Sequence, residues 1–289
     1  MEKNEIVIVC AADNQFADAL TVMIYSVLKT SSSKNIKLYV LDGGISLLAK
    51  NRISTLVNKR GNRIKFLKMD ENMFKGYLVS ERLTQAIYYR LLIPDLLLGE
   101  NVQKAIYLDC DLMLNADISE LWNVELGRNV LAAVAETNEG CRYVSSPRAL
   151  RLYKELGIPE KNKYFNSGVL VMNLEEWRKR NITAKVCNYL TENREQVIYH
   201  DQDGLNAILW DSWLELPTDW NVMSYLFITE HKHQVINMEK ETVEQLRRNP
   251  KIVHFTGWKK PWIEECVHPY ASLYRKYAQE VGKICVREE

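Results

Sequence analysis

Short apolar runs, several of them rich in β-branched residues, alternate along the chain with longer stretches whose apolar residues recur at helical spacing. That alternation predicts an α/β fold with a largely parallel sheet covered by helices. Strands are expected over residues 5–10, 36–41 and 63–69. Between them, Phe16, Leu20, Met23, Val27 and Leu28 mark one helix, and residues 47–58 form a second. A helix over 84–92 should stop at Pro94, which cannot continue the hydrogen-bond ladder. Apolar strands follow at 105–108, 130–135 and 165–173, with helices at 174–190 and 202–210. Residues 69–82 and 138–163 read as polar loops, the latter with a short helix near 149–156. The aromatic-rich segment 213–227 mixes short strands and loops, and a further loop runs over 217–233. A late strand at 251–255 and an amphipathic helix over 268–281 complete the pattern. There is no internal repeat and no linker.

A chain of 289 residues that is 47% hydrophobic can bury one large α/β core or two small ones. Lysine plus arginine (38) nearly balances aspartate plus glutamate (37), so a nucleic-acid partner is not expected and anions must be recognised locally. The apolar run at residues 6–9 is too short for a secretory signal, and no stretch approaches a membrane span, so the chain reads as soluble and intracellular. The six cysteines, Cys10, Cys110, Cys141, Cys187, Cys266 and Cys285, lack paired C-x-x-C spacing and are expected to be reduced.

The triplet Asp109-Cys110-Asp111 closes the apolar run 105–108. In extended conformation its two carboxylates leave one face and form a chelating pair, while Cys110 points the other way and packs. Hard oxygen donors at a strand's C-terminal edge suit Mg²⁺ or Mn²⁺; the plain alternative is two solvated loop aspartates. His254 ends another short strand and tilts the choice toward Mn²⁺, against the alternative of a structural histidine. Gly257 permits close backbone approach, and Lys260 could neutralise a phosphate leaving group. Together these residues point to chemistry on a diphosphate ester.

Ala11-Ala12-Asp13 ends the first strand without a G-x-G-x-x-G motif. Its small residues and carboxylate could hold a base or ribose, and a helix cap by Asp13 is an equal alternative. Arg90 suits a phosphate, a sugar hydroxyl or an exposed salt bridge. Asn166-Ser167-Gly168 interrupts an apolar strand with a polar amide. Asp201-Gln202-Asp203-Gly204 opens a helix, where acids also serve as caps.

Taken together, Ala11-Ala12-Asp13, Tyr107-Leu108-Asp109-Cys110-Asp111, Tyr164 through Leu170, His200-Asp201-Gln202-Asp203 and His254 through Trp262 resemble glycosyltransferase family 8. This is the family of retaining enzymes that includes bacterial lipopolysaccharide glucosyl- and galactosyltransferases and glycogenin. The resemblance implies a GT-A type fold with a mixed, mainly parallel sheet over residues 1–262, and a helical extension over 263–289 packed on or beside it. It implies that Asp109, Asp111 and His254 bind Mn²⁺, with Mg²⁺ as the alternative, and that the donor is a UDP-sugar. Ala11, Asp13 and Phe16 would hold uridine, with Cys110 beside them. Arg90 would contact the donor, Gly257 and Lys260 would meet the diphosphate, and Glu136, Asn166, Asp201 and Gln202 would line the sugar. The chain departs from the family pattern at Glu136, where relatives carry Asp, and at Gln15-Phe16, where they carry Asn-Tyr.

The implied activity is transfer of glucose or galactose from UDP-glucose or UDP-galactose to an acceptor hydroxyl on a saccharide, a lipid-linked glycan or a protein, with retention. Gln202, Asp201 and Lys260 would be the catalytic residues. Gln202 is a poor nucleophile, which favours front-face attack, and Asp201 is the fallback nucleophile. A sugar nucleotidyltransferase and a non-catalytic UDP-sugar-binding protein are the other readings. The expected location is the cytoplasm, peripheral to the inner face of the membrane if Tyr270, Tyr274, Tyr277 and the neighbouring cations touch lipid rather than pack.

Overall fold

Ile6–Ala12 is apolar at every position and forms a strand, β1, buried along its whole length, as befits a strand covered on both faces. The computed structural model describes residues 5–70, 72–77, 84–228, 236, 238–257 and 259–286, the side chains of residues 285 and 286 excepted. The expectations placed on Arg82, His233, Trp258 and the Cys285 side chain lie outside the described residues.

From β1 the chain passes through α1 (Ala17–Thr30), β2 (Ile36–Asp42), α2 (Leu47–Asn58) and β3 (Arg63–Lys68), and the three strands pair in parallel. On its other side β1 pairs in parallel with β4 (Lys104–Leu108). The chain then forms β5 (Leu112–Leu114), β6 (Leu131–Ala135), β7 (Phe165–Asn173) and β8 (Trp213–Leu216). The main sheet runs β3-β2-β1-β4-β7-β6-β8, and β7 alone is antiparallel to its neighbours. A small second sheet pairs β5 with β10 (Ile252–His254), which also pairs with β9 (Val222–Met223). Because Leu108 ends a strand of one sheet and Leu112 begins a strand of the other, residues 109–111 bridge the two.

Three helical expectations change. Gln85–Leu92 is a 3₁₀ helix, capped by the Thr84 hydroxyl, and it continues into α3 (Ile93–Leu96) instead of stopping at Pro94. Pro94 sits in the first turn of α3, where a missing N–H leaves no bond unmade. Residues 149–156 form turns without a helix. Leu156, Gly157 and Ile158 donate four, three and five residues back, so no ladder repeats. The single helix expected over 174–190 is two, α5 (Leu174–Lys179) and α6 (Ile182–Glu192), separated by Asn181 in the left-handed region at φ 53°. The pattern also missed α4 (Ile118–Trp122) and α8 (Lys240–Arg248), whereas α7 (His200–Leu209) lies where a helix was expected.

One apolar cluster lies under α1 and α2, and a second lies on the opposite face of the sheet under α5, α6 and α7. The terminal helix α9 (Ala271–Val286) inserts Tyr274, Tyr277 and Val281 into the first cluster. Tyr277 meets Tyr25 edge-on at 5.5 Å, and Glu280 accepts from the Tyr25 hydroxyl at 2.7 Å. The tyrosines considered for lipid contact are therefore packed at positions 274 and 277. Among the described residues no helix is long and apolar enough to cross a membrane.

Candidate metal and diphosphate site

The Asp109-Cys110-Asp111 triplet is not extended, as its spacing had predicted, but turns. Asp109 N–H donates to the Gly168 carbonyl at 2.9 Å and closes the β4–β7 ladder, while the Asp111 carbonyl accepts from Phe255 N–H at 2.9 Å beside β10. The chain changes sheets between these two bonds. Cys110, buried in the turn, donates its thiol hydrogen to the Ala11 carbonyl at 2.9 Å. That contact fastens the turn to the end of β1, at the C-terminal sheet edge where open α/β folds place ligands.

The turn and the end of β10 bring Asp109, Asp111 and His254 together, with their potential ligand atoms all within 4.8 Å of one another. His254 Nε2 lies 3.3 Å from Asp111 Oδ1 and 3.9 Å from Asp109 Oδ2. Ligands about 2.1 Å from an octahedral ion stand about 3 Å apart when adjacent and about 4 Å when opposite, so the set fits one divalent cation. Two carboxylate oxygens and one imidazole suit Mn²⁺ or Mg²⁺, with coordination positions left for a ligand. Three carboxylates (Asp109, Asp111, Asp201) face two cations (Arg90, Lys260), an excess of negative charge that a divalent ion offsets.

Gly168 on β7 makes the space. A Cβ there would stand 2.5 Å from His254 Cε1 and 2.8 Å from Asp109 Oδ2. Asp109 is aimed by its other oxygen, which accepts from the Tyr107 hydroxyl at 2.8 Å and from Arg90 Nη2 at 3.0 Å. Arg90 is 3% exposed, and its guanidinium is shared among Asp109, Asp201, the Ile87 carbonyl and Ser167. Burial disfavours its charge, but Asp109 and Asp201 outweigh that and keep it cationic. For Asp201 the balance reverses. Burial raises its carboxyl from 3.8 to about 6 despite Arg90. Burial also pushes Asp111 upward, but Lys260 and His254 hold it well below the ordinary carboxylate range. Lys260 Nζ reaches Asp111 Oδ2 at 2.5 Å and the Phe255 carbonyl at 2.7 Å.

Gln202 lies beside this cluster at the start of α7, and its Oε1 accepts from Ser167 N–H at 3.0 Å. Asp203 instead accepts from Ile198 N–H, Tyr199 N–H and the Tyr164 hydroxyl, a structural cap. Asp13 caps its own turn, accepting from Gln15 N–H at 2.9 Å and Phe16 N–H at 3.2 Å. Phe16 is half-buried and meets Trp262 edge-on. Gly257 turns the chain at φ 87°, a conformation glycine adopts freely. Glu136 and Asn166 are buried and bonded to each other, Asn166 Nδ2 donating to Glu136 Oε1 at 3.2 Å. Burial raises the Glu136 carboxyl.

Sequence reasoning named Tyr107 and Ser167 within motifs without giving either a role, and it missed Tyr225 and Asn221. Asn221 is fully buried and bonded to His254. Its only signal was an amide within the aromatic segment.

The chain is similar to known proteins along most of its length. The chain is 38% identical over 281 residues to general stress protein A of Bacillus subtilis (strain 168), covering 96% of this chain and 94% of that one. It is 25% identical to lipopolysaccharide 1,2-glucosyltransferase of Escherichia coli (strain K12), covering 91% and 74%. Among solved structures, the galactosyltransferase LgtC in complex with donor and acceptor sugar analogues superposes with a TM-score of 0.79 at 25% identity, covering 95% of this chain and 96% of that one. The model of glycosyl transferase family 8 matches residues 7–266. On a mixed, mainly parallel GT-A sheet, with Asp109, Asp111 and His254 gathered at its edge, the chain belongs to glycosyltransferase family 8.

Proposed function

We propose that this glycosyltransferase moves glucose or galactose from a UDP-sugar to an acceptor hydroxyl with retention at the anomeric carbon, using Mn²⁺. The observation that carries the proposal is the convergence of Asp109, Asp111 and His254 with Lys260 against Asp111. Asp109, Asp111 and His254 would hold the metal, which supplies positive charge to a diphosphate. Lys260, which contacts Asp111, would pass to a phosphate oxygen and stabilise negative charge as UDP departs. Ala11, Asp13 and Phe16 are assigned to uridine, Gly257 to the diphosphate, and Arg90 to the donor side through the aspartates it grips.

Front-face attack is supported by the posture of the two candidate nucleophiles. Asp201 Oδ2 is engaged by Arg90 at 3.0 Å and by the Ser167 hydroxyl at 3.2 Å, which stills it as a nucleophile. The Gln202 carbonyl is fixed by Ser167 N–H and offers dipole stabilisation of cationic character at the sugar. The acceptor is a hydroxyl of a saccharide, a lipid-linked glycan or a protein, met in the cytoplasm.

UDP-glucose and UDP-galactose, supplied separately with Mn²⁺, should yield UDP, and the product anomer read by NMR should match that of the donor. Asp111→Asn, near-isosteric, should abolish the metal-dependent part. Equal UDP release with and without a chelator would sink the metal reading, and an inverted product would sink retention.

A further inference from the structure

Asn221 has no role in the reading above, yet it is fully buried and touches both a candidate metal ligand and Asn166. It lies in the 3₁₀ turn Thr218–Asn221, immediately before β9, and faces both β10 and β7. His254 Nδ1 lies 2.9 Å from its Oδ1, and its Nδ2 donates to Asn166 Oδ1 at 2.8 Å.

The polarity of this chain is set by hydrogens that cannot move. Gly168 N–H donates to Asn166 Oδ1 at 3.0 Å, so that atom must be the amide oxygen. The Asn221 atom facing it must then be NH₂, since two amide oxygens would repel. The other Asn221 atom is consequently the carbonyl oxygen, an acceptor only, and His254 Nδ1 must carry the proton that meets it. A neutral imidazole protonated at Nδ1 has its lone pair on Nε2, the nitrogen directed at Asp109 and Asp111. The far end is fixed in the same way. Asn166 Nδ2 and the Tyr225 hydroxyl both donate to Glu136, at 3.2 and 2.9 Å, and Tyr225 itself accepts from Thr137 N–H at 3.1 Å.

We infer that Asn221 is a positioning residue for the metal site: through Asn166 and the Gly168 amide it selects the His254 tautomer whose Nε2 can bind the ion. The inference rests on the metal reading above and deepens it. Partners of this kind on a ligating imidazole typically change metal affinity by about 10–100-fold when removed.

The first test is ¹⁵N NMR of the metal-free wild type, with His254 assigned by its loss in His254→Gln. A proton on Nδ1 supports the inference, and an Nδ1 that carries none overturns it. The second is Mn²⁺ titration by EPR. Asn221→Leu, which removes the acceptor, should bind Mn²⁺ about 10–100-fold more weakly and shift the tautomer. Asn221→Asp keeps an acceptor facing Nδ1–H, although its second oxygen meets Asn166 Oδ1, and should lose less Mn²⁺ affinity than Asn221→Leu. Equal losses in the Leu and Asp variants would assign Asn221 a merely structural role and overturn the inference. So would an Asn221→Leu protein that binds as tightly as wild type. If Asn221→Leu does not fold, the tautomer and the Asp variant decide. A wild type that holds no Mn²⁺ sinks the metal reading and this inference with it, whereas a loss confined to the inference leaves wild-type binding intact.

Discussion

Gly168→Ala adds one methyl group at the point where β7 passes the three candidate ligands. Gly168 is not among the glycines in the left-handed region, so an alanine backbone fits and only the Cβ is at issue. That carbon would lie 2.5 Å from His254 Cε1, 2.8 Å from Asp109 Oδ2 and 3.1 Å from Asn166 Oδ1. Ordinary carbon contacts begin at about 3.5 Å, so the imidazole must retreat by about 1 Å. It has little freedom to do so. Asn221 holds one side of the ring, and Arg90 and Tyr107 hold Asp109.

Overpacking of this kind costs roughly 1–3 kcal/mol, a fall in Tm of several degrees at about 2–4 °C per kcal/mol. Metal bonds tolerate only about 0.2 Å of ligand displacement, so Mn²⁺ affinity should drop at least about tenfold. EPR titration measures the affinity and a thermal melt measures the stability. Gly99→Ala is the control, because a Cβ there meets nothing within 4 Å. If Gly168→Ala bound Mn²⁺ as tightly as wild type and melted at the same temperature, the packed geometry assigned to the site would be wrong.

Lys260→Met separates two roles. On the proposed role, transfer should fall by about 10²-fold because the departing diphosphate would lose a stabilising cation. Mn²⁺ binding to the free protein should hold or tighten, since Lys260 no longer competes for Asp111, and weakened binding would contradict the assignment. Asp201→Asn tests the buried acid. A carboxyl raised from 3.8 to about 6 on folding stabilises fully below about pH 4, and that stability is lost as the pH rises through 6. In the metal-free protein, the wild type should therefore lose up to about 3 kcal/mol relative to Asp201→Asn between pH 4 and pH 7. Parallel urea-derived stability curves across that range would refute it. Tyr277→Ala should cost about 3 kcal/mol in urea unfolding while leaving Mn²⁺ affinity unchanged, because the ring is 8% exposed within the α1–α9 core. A loss under about 0.5 kcal/mol would mean that α9 lies beside the domain and is not part of it.

The strands that the sequence pattern found are those it could find. β1 and β6 are apolar throughout, and β2, β4 and β7 each contain an apolar run of at least four residues that stands apart from its polar neighbours. β7's antiparallel direction was not legible, because a strand buried on both faces has the same composition in either direction. β5 escaped notice for a different reason, since Leu112–Leu114 is too short to show any period. α8 carries only Val243 and Leu246 as buried residues, one helical turn of apolar signal in a charged stretch. The break between α5 and α6 depends on one backbone conformation at Asn181, a residue that also occurs inside helices.

At the site, residue type and position pointed to the candidate ligands but not to their partners. Two aspartates at a strand end and a distant histidine are legible because few side chains can bind a hard divalent ion. Which oxygen of Asp109 and which nitrogen of His254 would face an ion is decided by Arg90, Tyr107 and Asn221, the first and last of which lie 131 positions apart. Arg90 shows the difference most clearly. On the sequence it is a cation suited equally to a phosphate or to a surface salt bridge. In the fold it is buried between Asp109 and Asp201, where either aspartate alone would leave a guanidinium with too little compensating charge. Its role follows from a pairing that no local pattern encodes, because the 3₁₀ helix, the turn after β4 and α7 each bring one member of the triad.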